Sequence, residues 1–210
     1  MSNPVQMIGS THQEVRHVER GGRAARAVVA WRDYATGVDD LWDALTTAER
    51  IGRWLAPVSG ELRLGGRYQI QGNAGGEVLA CEPPRRLEVS WEGPGGPCTW
   101  VTVTLKAAAG GARLTLEHVA RVTDDDAFWI QFGPGAVGVG WEGGFLGLAL
   151  HFVGGSIGDA AGWPYTAEGH DFYSRSSAAW GEANVAAGAD PQTVAANVTN
   201  TTAFYAPPAP

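Results

Sequence analysis

The sequence predicts an α+β fold, in which an antiparallel sheet is followed by a long apolar helix. Several short segments alternate apolar and polar residues, which is the period of half-buried strands, and turns rich in glycine and proline join them. Residues 138–152 are apolar with a helical period instead. With 210 residues, of which 44% are hydrophobic, the chain is long enough to bury a substantial core.

The order of the predicted elements begins with a strand over residues 24–34, which are rich in β-forming side chains. The spacing of apolar residues then changes from the strand period to the helical period, and helices are predicted over residues 38–45 and 48–54. Thr47 is expected to be the N-cap of the second helix. Consecutive strands joined by short loops pair antiparallel. These strands are predicted over residues 67–71, 77–82, 87–92, 99–106 and 113–121, with turns at Gly65-Gly66, Gly75-Gly76, 93–97 and Gly110-Gly111.

The long helix carries one apolar stripe. The stripe consists of Val137, Trp141, Phe145, Leu148 and Phe152. Five glycines between residues 138 and 147 weaken the helix, each by up to about 1 kcal/mol relative to alanine. We therefore expect a buried core helix that is supported by packing, with glycines that permit close approach to a sheet. Its uncharged runs are too short to cross a membrane.

Three regions are predicted along the chain. Residues 1–22 are expected to form an N-terminal tail, residues 23–153 the main domain, and residues 154–210 a linker followed by a helical extension. In the extension, helices are predicted over residues 171–187 and from Pro191 to Tyr205, with Asp190 as the N-cap of the second.

The charge balance argues against two classes of partner. The net charge is −7 and the pI is near 5.2, so we expect no nucleic acid, because phosphate contact needs a basic surface. A polybasic membrane patch is also lacking, and we expect no membrane insertion. The arginines at positions 16, 20, 23 and 26 are interpreted as a solvated lead-in. No apolar leader segment precedes the body, which predicts a cytoplasmic location.

Motifs for metals and cofactors are weak. Gly133, Gly135 and Gly138 match a dinucleotide fingerprint, but no βαβ unit surrounds them, so a loop-to-helix turn is predicted. The five histidines lack metal-ligand spacing, and residues 124–126 (three aspartates) are expected to form a solvated loop. Cys81 and Cys98 are predicted to be buried free thiols. No cofactor and no metal are expected.

Tryptophans and one histidine are the candidate functional residues. Trp91 continues the inward stripe of its strand, whereas Trp100 faces away and is expected on an outer surface or in a dimer contact. His118 shares a strand face with Leu114 and Leu116, and we expect it to point into the interior. As a general base it would need a partner such as Glu77 within hydrogen-bonding reach.

Several short motifs, taken in order, resemble one superfamily. They lie at residues 38–46, 48–54, 64–68, 76–79, 83–87, 89–91 and 140–141. Together they resemble the START-like (SRPBCC, Bet v 1-like, polyketide cyclase) superfamily, within it the branch named for the activator of heat-shock-protein-90 ATPase. The resemblance covers about residues 24–153, and the extension departs from it.

The resemblance implies a helix-grip fold, in which a curved antiparallel sheet wraps a long C-terminal helix. It also implies a cavity between sheet and helix, which relatives use for hydrophobic molecules. Pockets of this kind are mostly apolar with a few polar groups. The candidate ligand-binding residues are Trp54, Tyr68, Glu77, Leu79, Trp91, His118, Trp129, Phe132, Trp141, Phe145 and Leu148.

Three functions follow as hypotheses, because fold and activity separate widely in such superfamilies. The first is binding of a small hydrophobic or aromatic molecule in the cavity. The second is a chaperone-associated or regulatory protein-interaction module. The third is a cyclase or hydrolase-type enzyme, in which a polar pair such as Glu77 and His118 moves protons. No catalytic motif is recognised, so catalytic residues are not assigned. A homodimer is one partner hypothesis, and the sequence leaves the oligomeric state open.

Overall fold

The computed structural model describes residues 10–123 and 125–207. Strands and helices follow the predicted α+β order, with additions at both ends. In the described part of the chain the elements are β1 (His12–Arg20), β2 (Arg23–Tyr34), α1 (Val38–Thr46), α2 (Ala48–Trp54), β3 (Val58–Gly60), β4 (Arg67–Ile70), β5 (Gly75–Glu82), β6 (Arg86–Glu92), β7 (Cys98–Ala108), β8 (Gly111–Ala120), α3 (Ala127–Phe132), α4 (Gly135–Phe152), α5 (Ala167–Ala186) and α6 (Pro191–Tyr205).

The strands form one antiparallel sheet. Its order is β1-β2-β8-β7-β6-β5-β4-β3, so neighbours from β8 to β3 are consecutive in the sequence. This confirms the predicted meander, and the neighbouring strands from β3 to β8 all pair antiparallel. The short strand β3 was not predicted. It pairs with β4 through only three residues, which is a common length for an edge strand.

Strand β1 corrects the prediction of a tail over residues 1–22. Residues 12–20 form a strand at the end of the sheet, and residues 1–9 lie outside the described part. Gly21 and Gly22 have φ of 61° and 69°, the backbone that a tight two-residue hairpin turn requires. Charged side chains are typical of edge strands, so the segment resembles a solvated tail in its composition. The predicted solvated arginines Arg16, Arg20, Arg23 and Arg26 belong to these two strands.

The pair Gly75-Gly76 is not a turn, contrary to the prediction. Both residues belong to β5, and the turn lies before them at Gly72, where φ is 70°. A Cβ on Gly76 would lie 2.0 Å from the carbonyl oxygen of Ser90, and one on Gly75 would lie 2.8 Å from that of Tyr68. These glycines therefore allow close approach of neighbouring strands rather than a reversal of the chain.

The molecule divides into two compact units. Residues up to Ala30 together with those from Arg121 onward form the first, and Trp31–Ala120 the second. In the second unit, α1 packs on β7 and β8, and α2 packs on α1 and β3. Leu41 and Ala44 of α1 are fully buried. The meander with these two helices is therefore a self-contained layer.

In the first unit, α4 buries a face that the predicted stripe does not contain. Gly138, Glu142, Leu146 and Leu150 follow one another at helical spacing and are all buried. A Cβ on Gly138 would lie 2.2 Å from the ring of Trp180 in α5, a fully buried side chain. Glycine is thus required here for close approach to α5, not to a sheet as the sequence predicted.

The C-terminal extension folds as helices with clear start signals. Asp190 caps α6 as predicted, since its carboxylate accepts the Thr193 backbone N–H at 2.9 Å. Residues predicted as linker contain a short helical turn at Trp163–Tyr165, and α5 begins at Ala167. Thr47 is not a side-chain cap of α2, because its hydroxyl donates to Asp43 Oδ1 at 2.6 Å.

The close packing of Gly138 in α4 against Trp180 leads to a prediction about stability. We expect Gly138→Ala to lower the free energy of unfolding by about 1–3 kcal/mol, because its methyl group would overlap the Trp180 ring. Gly143→Ala in the same helix is the matched control, since nothing lies within 4 Å of its Cβ position. Alanine there should be neutral or stabilising by up to about 1 kcal/mol. Urea denaturation monitored by circular dichroism measures both; equal stability of the two variants would contradict the packing account.

Candidate functional site

One face of the sheet in the second unit is lined by apolar side chains. Directly paired residues on neighbouring strands point to the same side. The register joins Val78 to Val89, Val89 to Val101, and Val101 to His118. We call this side the apolar sheet face. It also carries, by the same pairing and alternation, Tyr68, Gly76, Leu87, Trp91, Thr99, Val103, Leu114 and Leu116.

His118 lies on this face, as predicted from the strand period. The side chain is buried, with 7% of its surface exposed. Its Nε2 lies 2.8 Å from Thr99 Oγ1, and its ring makes a T-shaped contact with that of Trp91, at a centroid distance of 6.2 Å and an interplanar angle of 63°. The polar ring of His118 thereby lies among valines and leucines, with the Thr99 hydroxyl and the Trp91 ring among its neighbours.

The hydroxyl of Thr99 assigns the tautomer of His118. Thr99 Oγ1 donates its only proton to the backbone carbonyl of Trp91 at 3.0 Å. The proton in the shorter contact with His118 must then come from the imidazole, so Nε2 carries the hydrogen and Nδ1 is an acceptor. Desolvation lowers the pKa of His118 to about 4, and the ring is neutral at pH 7.

Tyr68 is the second polar group on the apolar sheet face. Its hydroxyl donates to the backbone carbonyl of Ser90 at 2.8 Å. It pairs with Gly76 in the register of β4 and β5, and the missing side chain of Gly76 leaves room for the phenol ring. Burial raises the pKa of Tyr68 above its ordinary value, so the phenol is neutral at pH 7 as well.

Glu77 does not join His118, contrary to the proton-transfer hypothesis. Glu77 pairs with Arg67, whereas its neighbour Val78 belongs to the row of His118. Successive strand residues alternate sides, so Glu77 points to the opposite face of the sheet. Its backbone N–H donates to Ser90 Oγ at 2.8 Å. The hypothesis lacked the register, which decides which face each residue occupies.

Two further candidates in the second unit have other placements. Leu79 lies at an irregularity of the β5–β6 pairing, and 37% of its surface is exposed. Trp54 donates its indole N–H to the backbone carbonyl of Ala44 at 3.0 Å, which fastens the end of α2 to α1. This hydrogen bond of Trp54 stabilises the packing of the two helices and does not itself indicate a role in ligand binding. Trp100 pairs with Ser90 and Val119 and therefore lies on the outer face, as predicted.

The candidates in α3 are held by neighbours within the first unit. The guanidinium of Arg26 lies over the ring of Trp129 at 4.7 Å from its centroid, a cation–π arrangement. Phe132 contacts the rings of Phe128 and Phe204 at centroid distances of 5.1 and 5.6 Å. Phe132 thus belongs to a ring cluster that joins α3 to α6.

The candidates in α4 are Trp141, Phe145 and Leu148. Phe145 and Leu148 are buried, and Trp141 is half-buried. The same helix contains a buried carboxylate that is not among the predicted site residues: Glu142 accepts a hydrogen bond from Gln13 Nε2 at 2.7 Å. Its contact comes from β1, a strand that was not predicted, so no sequence signal pointed to it.

Thr99 and Ser90 were also missed. Thr99 lies two residues before Val101, so strand alternation alone would have placed it on the apolar face. Ser90 accepts the backbone N–H of Glu77 and donates to Glu92 Oε1 at 3.0 Å. Both hydroxyls form hydrogen bonds with polar groups of the sheet, and only the strand register shows which groups these are.

The remaining motifs have structural explanations. Gly135 and Gly138 lie where α4 meets Thr201 and Trp180, and the preceding element is α3, so the loop-to-helix interpretation of the glycine motif is confirmed. Asp126 caps α3 by accepting the Trp129 backbone N–H at 2.9 Å, which corrects the prediction of a purely solvated loop. Asp124 lies outside the described residues.

The burial of the two cysteines differs from the prediction, and the described residues include neither a metal-binding cluster nor a membrane-spanning helix. Cys98 is exposed and Cys81 is half-buried, because Cys98 begins β7 beside a loop. Within residues 10–123 and 125–207, no group of three or more His, Cys, Asp and Glu side chains is placed to hold a metal ion. None of the described helices is long and apolar enough to cross a membrane.

Comparison with known proteins identifies related chains. The family model for Activator of Hsp90 ATPase homolog 1-like protein matches residues 35–142. The crystal structure of CalU16 from Micromonospora echinospora is 32% identical, with a TM-score of 0.62 over 82% of this chain and 97% of that chain. Its solution structure gives 29% identity and a TM-score of 0.68 over 84% and 96%.

A third structure supports the same fold. MLL2253 from Mesorhizobium loti is 27% identical, with a TM-score of 0.51 over 60% of this chain and 98% of that chain. No curated protein gives a significant match. The antiparallel sheet, the helices that follow it and these similarities confirm the α+β, helix-grip fold class.

The buried imidazole predicts a pH dependence of stability. The pKa of His118 is about 4 in the folded chain and about 6.5 in the unfolded chain, so the unfolded state binds the proton more readily. Stability is complete above the unfolded pKa and is lost as the pH falls towards 4. Between pH 7 and 4.5 the contribution of this group should fall by about 2–3 kcal/mol.

His118→Gln isolates this contribution, because the amide donates to Thr99 and does not titrate. Carboxylates titrate alike in both proteins, so the difference between their denaturation midpoints at pH 7 and pH 4.5 reports on His118. The wild type should lose more stability than the variant. Parallel losses would show that the imidazole is not held neutral in the folded chain.

Proposed function

The chain belongs to the family of Activator of Hsp90 ATPase homolog 1-like proteins, and we propose on this premise that it binds a small hydrophobic or aromatic molecule on its apolar sheet face. The supporting observation is the composition of that face. It presents valines and leucines, a tryptophan edge, and polar groups that are neutral at pH 7. Ligand sites in proteins have this character, with a largely apolar lining and few polar groups.

The polar groups on the face define which molecules it suits. The neutral rings of His118 and Tyr68 and the hydroxyl of Thr99 offer hydrogen bonding without charge. An apolar ligand would insert its ring system beside Trp91, which is half-buried, and would reach Val78, Val89 and Val101 only by displacing the side chains that cover them. A planar molecule with several fused rings makes edge-to-face contact with an indole and gains from burial of its area.

Binding is favoured over catalysis by the positions of the titratable groups. The only acid–base pair proposed from the sequence has its members on opposite faces of the sheet. His118 with a pKa of about 4 is a weak base at pH 7, and its neutral ring is a poor general acid because the cationic form is scarcely populated. The face therefore supports holding and orienting a ligand better than moving protons.

A second candidate function is favoured by the family match itself. The model that matches residues 35–142 is named for an activator of a chaperone ATPase, which supports a regulatory protein-interaction role. The two functions are separable by experiment. Addition of the purified chain to an Hsp90 ATPase assay should leave the rate unchanged if ligand binding is the function, and should raise it under the second candidate.

Ligand binding predicts a difference between two tryptophans on opposite faces. Native mass spectrometry with a panel of fatty acids and planar polycyclic phenols should detect a one-to-one complex with the wild type. Trp91→Ala should raise the Kd of the best ligand about tenfold or more, because a ring contact is lost. Since Trp91 is half-buried, its loss of stability should stay below the about 3–5 kcal/mol of a fully buried ring.

Trp100→Ala is the matched control, since Trp100 lies one residue from Thr99 but on the outer face. The Kd of this variant for the best ligand should stay within about twofold of the wild-type value. If no member of the panel binds the wild type, or if Trp91→Ala and Trp100→Ala weaken binding equally, the proposal for the apolar sheet face is wrong.

A further inference from the structure

Two hydroxyl groups on the apolar sheet face donate their only protons to the backbone. Tyr68 Oη donates to the carbonyl of Ser90 at 2.8 Å, and Thr99 Oγ1 donates to that of Trp91 at 3.0 Å. A carbonyl oxygen cannot donate, so the direction of both hydrogen bonds is fixed. Each hydroxyl oxygen can therefore accept a further hydrogen bond, but neither hydroxyl can donate one.

The imidazole of His118 uses one lone pair of Thr99. Its Nε2–H donates to Thr99 Oγ1 at 2.8 Å, so hydrogen bonds run in one direction from the imidazole through the hydroxyl to the carbonyl of Trp91. A hydroxyl oxygen carries two lone pairs, and the second one of Thr99 remains for a ligand. Hydrogen bonds aligned in this way polarise one another, which strengthens the hydroxyl oxygen as an acceptor.

Both hydroxyl oxygens flank Trp91, the half-buried ring of the proposed ligand site. The carbonyls that they contact belong to the consecutive residues Ser90 and Trp91 of β6. Tyr68 reaches its carbonyl from the β5 side, over Gly76, which has no side chain, and Thr99 reaches from β7. Thr99 is half-buried like Trp91. A ring inserted beside the indole therefore meets acceptor oxygens at its edge.

The charges around Tyr68 disfavour an anion at this position. Burial raises the pKa of the Tyr68 phenol most, the carboxylate of Glu92 and the thiol of Cys98 raise it further, and Arg67 opposes them. The contribution of Glu92 indicates a negative potential at the phenol, which repels a carboxylate and attracts the hydrogen of a donor. The net charge of −7 acts in the same direction over the whole surface.

We propose that the apolar sheet face selects an uncharged aromatic ligand that carries a hydroxyl group, and that Tyr68 and Thr99 determine this specificity. The inference rests on the proposed ligand binding and adds the ligand atom that the face recognises. The ligand hydroxyl donates to one of the two oxygens while its ring packs beside Trp91. An ether at the same position offers lone pairs alone and finds no proton there. A carboxylate also has a full charge to desolvate.

Naphthol, its methyl ether and naphthoate, all substituted at the same ring position, separate these chemistries. At pH 7 naphthol is neutral and donates a hydrogen bond, the ether accepts only, and naphthoate is an anion. In equilibrium dialysis of the full chain against each compound, naphthol should have a Kd at least about tenfold below those of the other two.

The same measurement distinguishes failure of the inference from failure of the proposed function. If the ether or naphthoate binds as tightly as naphthol, the inference is wrong, while the proposed binding of aromatic molecules stands. If none of the three compounds binds, the proposed function is wrong and the inference is overturned with it.

Tyr68→Phe and Thr99→Val each remove one acceptor oxygen and keep the shape of the side chain. Each variant should lower the preference for naphthol over its methyl ether, and the double variant should reduce this preference to about twofold or less. The preference is a ratio of two Kd values for one protein, so a general loosening of the site cancels. Circular dichroism melting verifies folding, and the single variants decide the test if the double variant does not fold.

Thr102→Val is the matched control, because Thr102 lies on the same strand as Thr99 but on the outer face of the sheet, between Glu88 and Glu117. This variant should keep the wild-type preference for naphthol. A preference that survives removal of both acceptor oxygens, or one that Thr102→Val lowers as much as Thr99→Val does, overturns the assignment of specificity to Tyr68 and Thr99.

Discussion

The hydrogen-bond register that joins β5, β6, β7 and β8 is the constraint on which the apolar sheet face depends. Strand side chains alternate, so a slip of one residue in any pairing would carry that strand's apolar set to the other side. The observed register aligns Val78, Val89, Val101 and His118 in one row. It also separates Glu77 from that row. The chemistry available on the face follows from this alignment.

A polar ring in such a row has an energetic cost that the structure offsets locally. An unsatisfied buried imidazole would be destabilising by about 1–3 kcal/mol, and Thr99 removes part of that penalty with one hydrogen bond to Nε2. Neutrality removes the larger penalty of a buried charge. A neutral imidazole among apolar side chains is the combination that the proposed ligand site would need.

In the first unit, the contact between Gly138 and Trp180 is the constraint on which the packing of the helices depends. Trp180 of α5 lies on Gly138 so closely that no other side chain fits, and its indole N–H has no acceptor among the described residues. Packing outweighs hydrogen bonding at this position. The extension thus completes the core around α4, while the proposed ligand contacts lie on the sheet.

The sequence by itself determined the properties that repeat along the chain. Strand alternation was enough to place His118 and Trp91 inward and Trp100 outward, and Asp190 with Pro191 marked the start of α6. Contacts between distant residues were decided only by the tertiary structure. Gly75 and Gly76 carry the signature of a turn but serve strand approach, and β1 has the composition of a tail but completes a sheet edge. The face of the sheet on which Glu77 lies depends on how its strand, β5, pairs with β4 and β6. The physical reason is that periodicity reports the direction of a side chain relative to its own element, whereas its partner depends on pairing and packing with residues far along the chain.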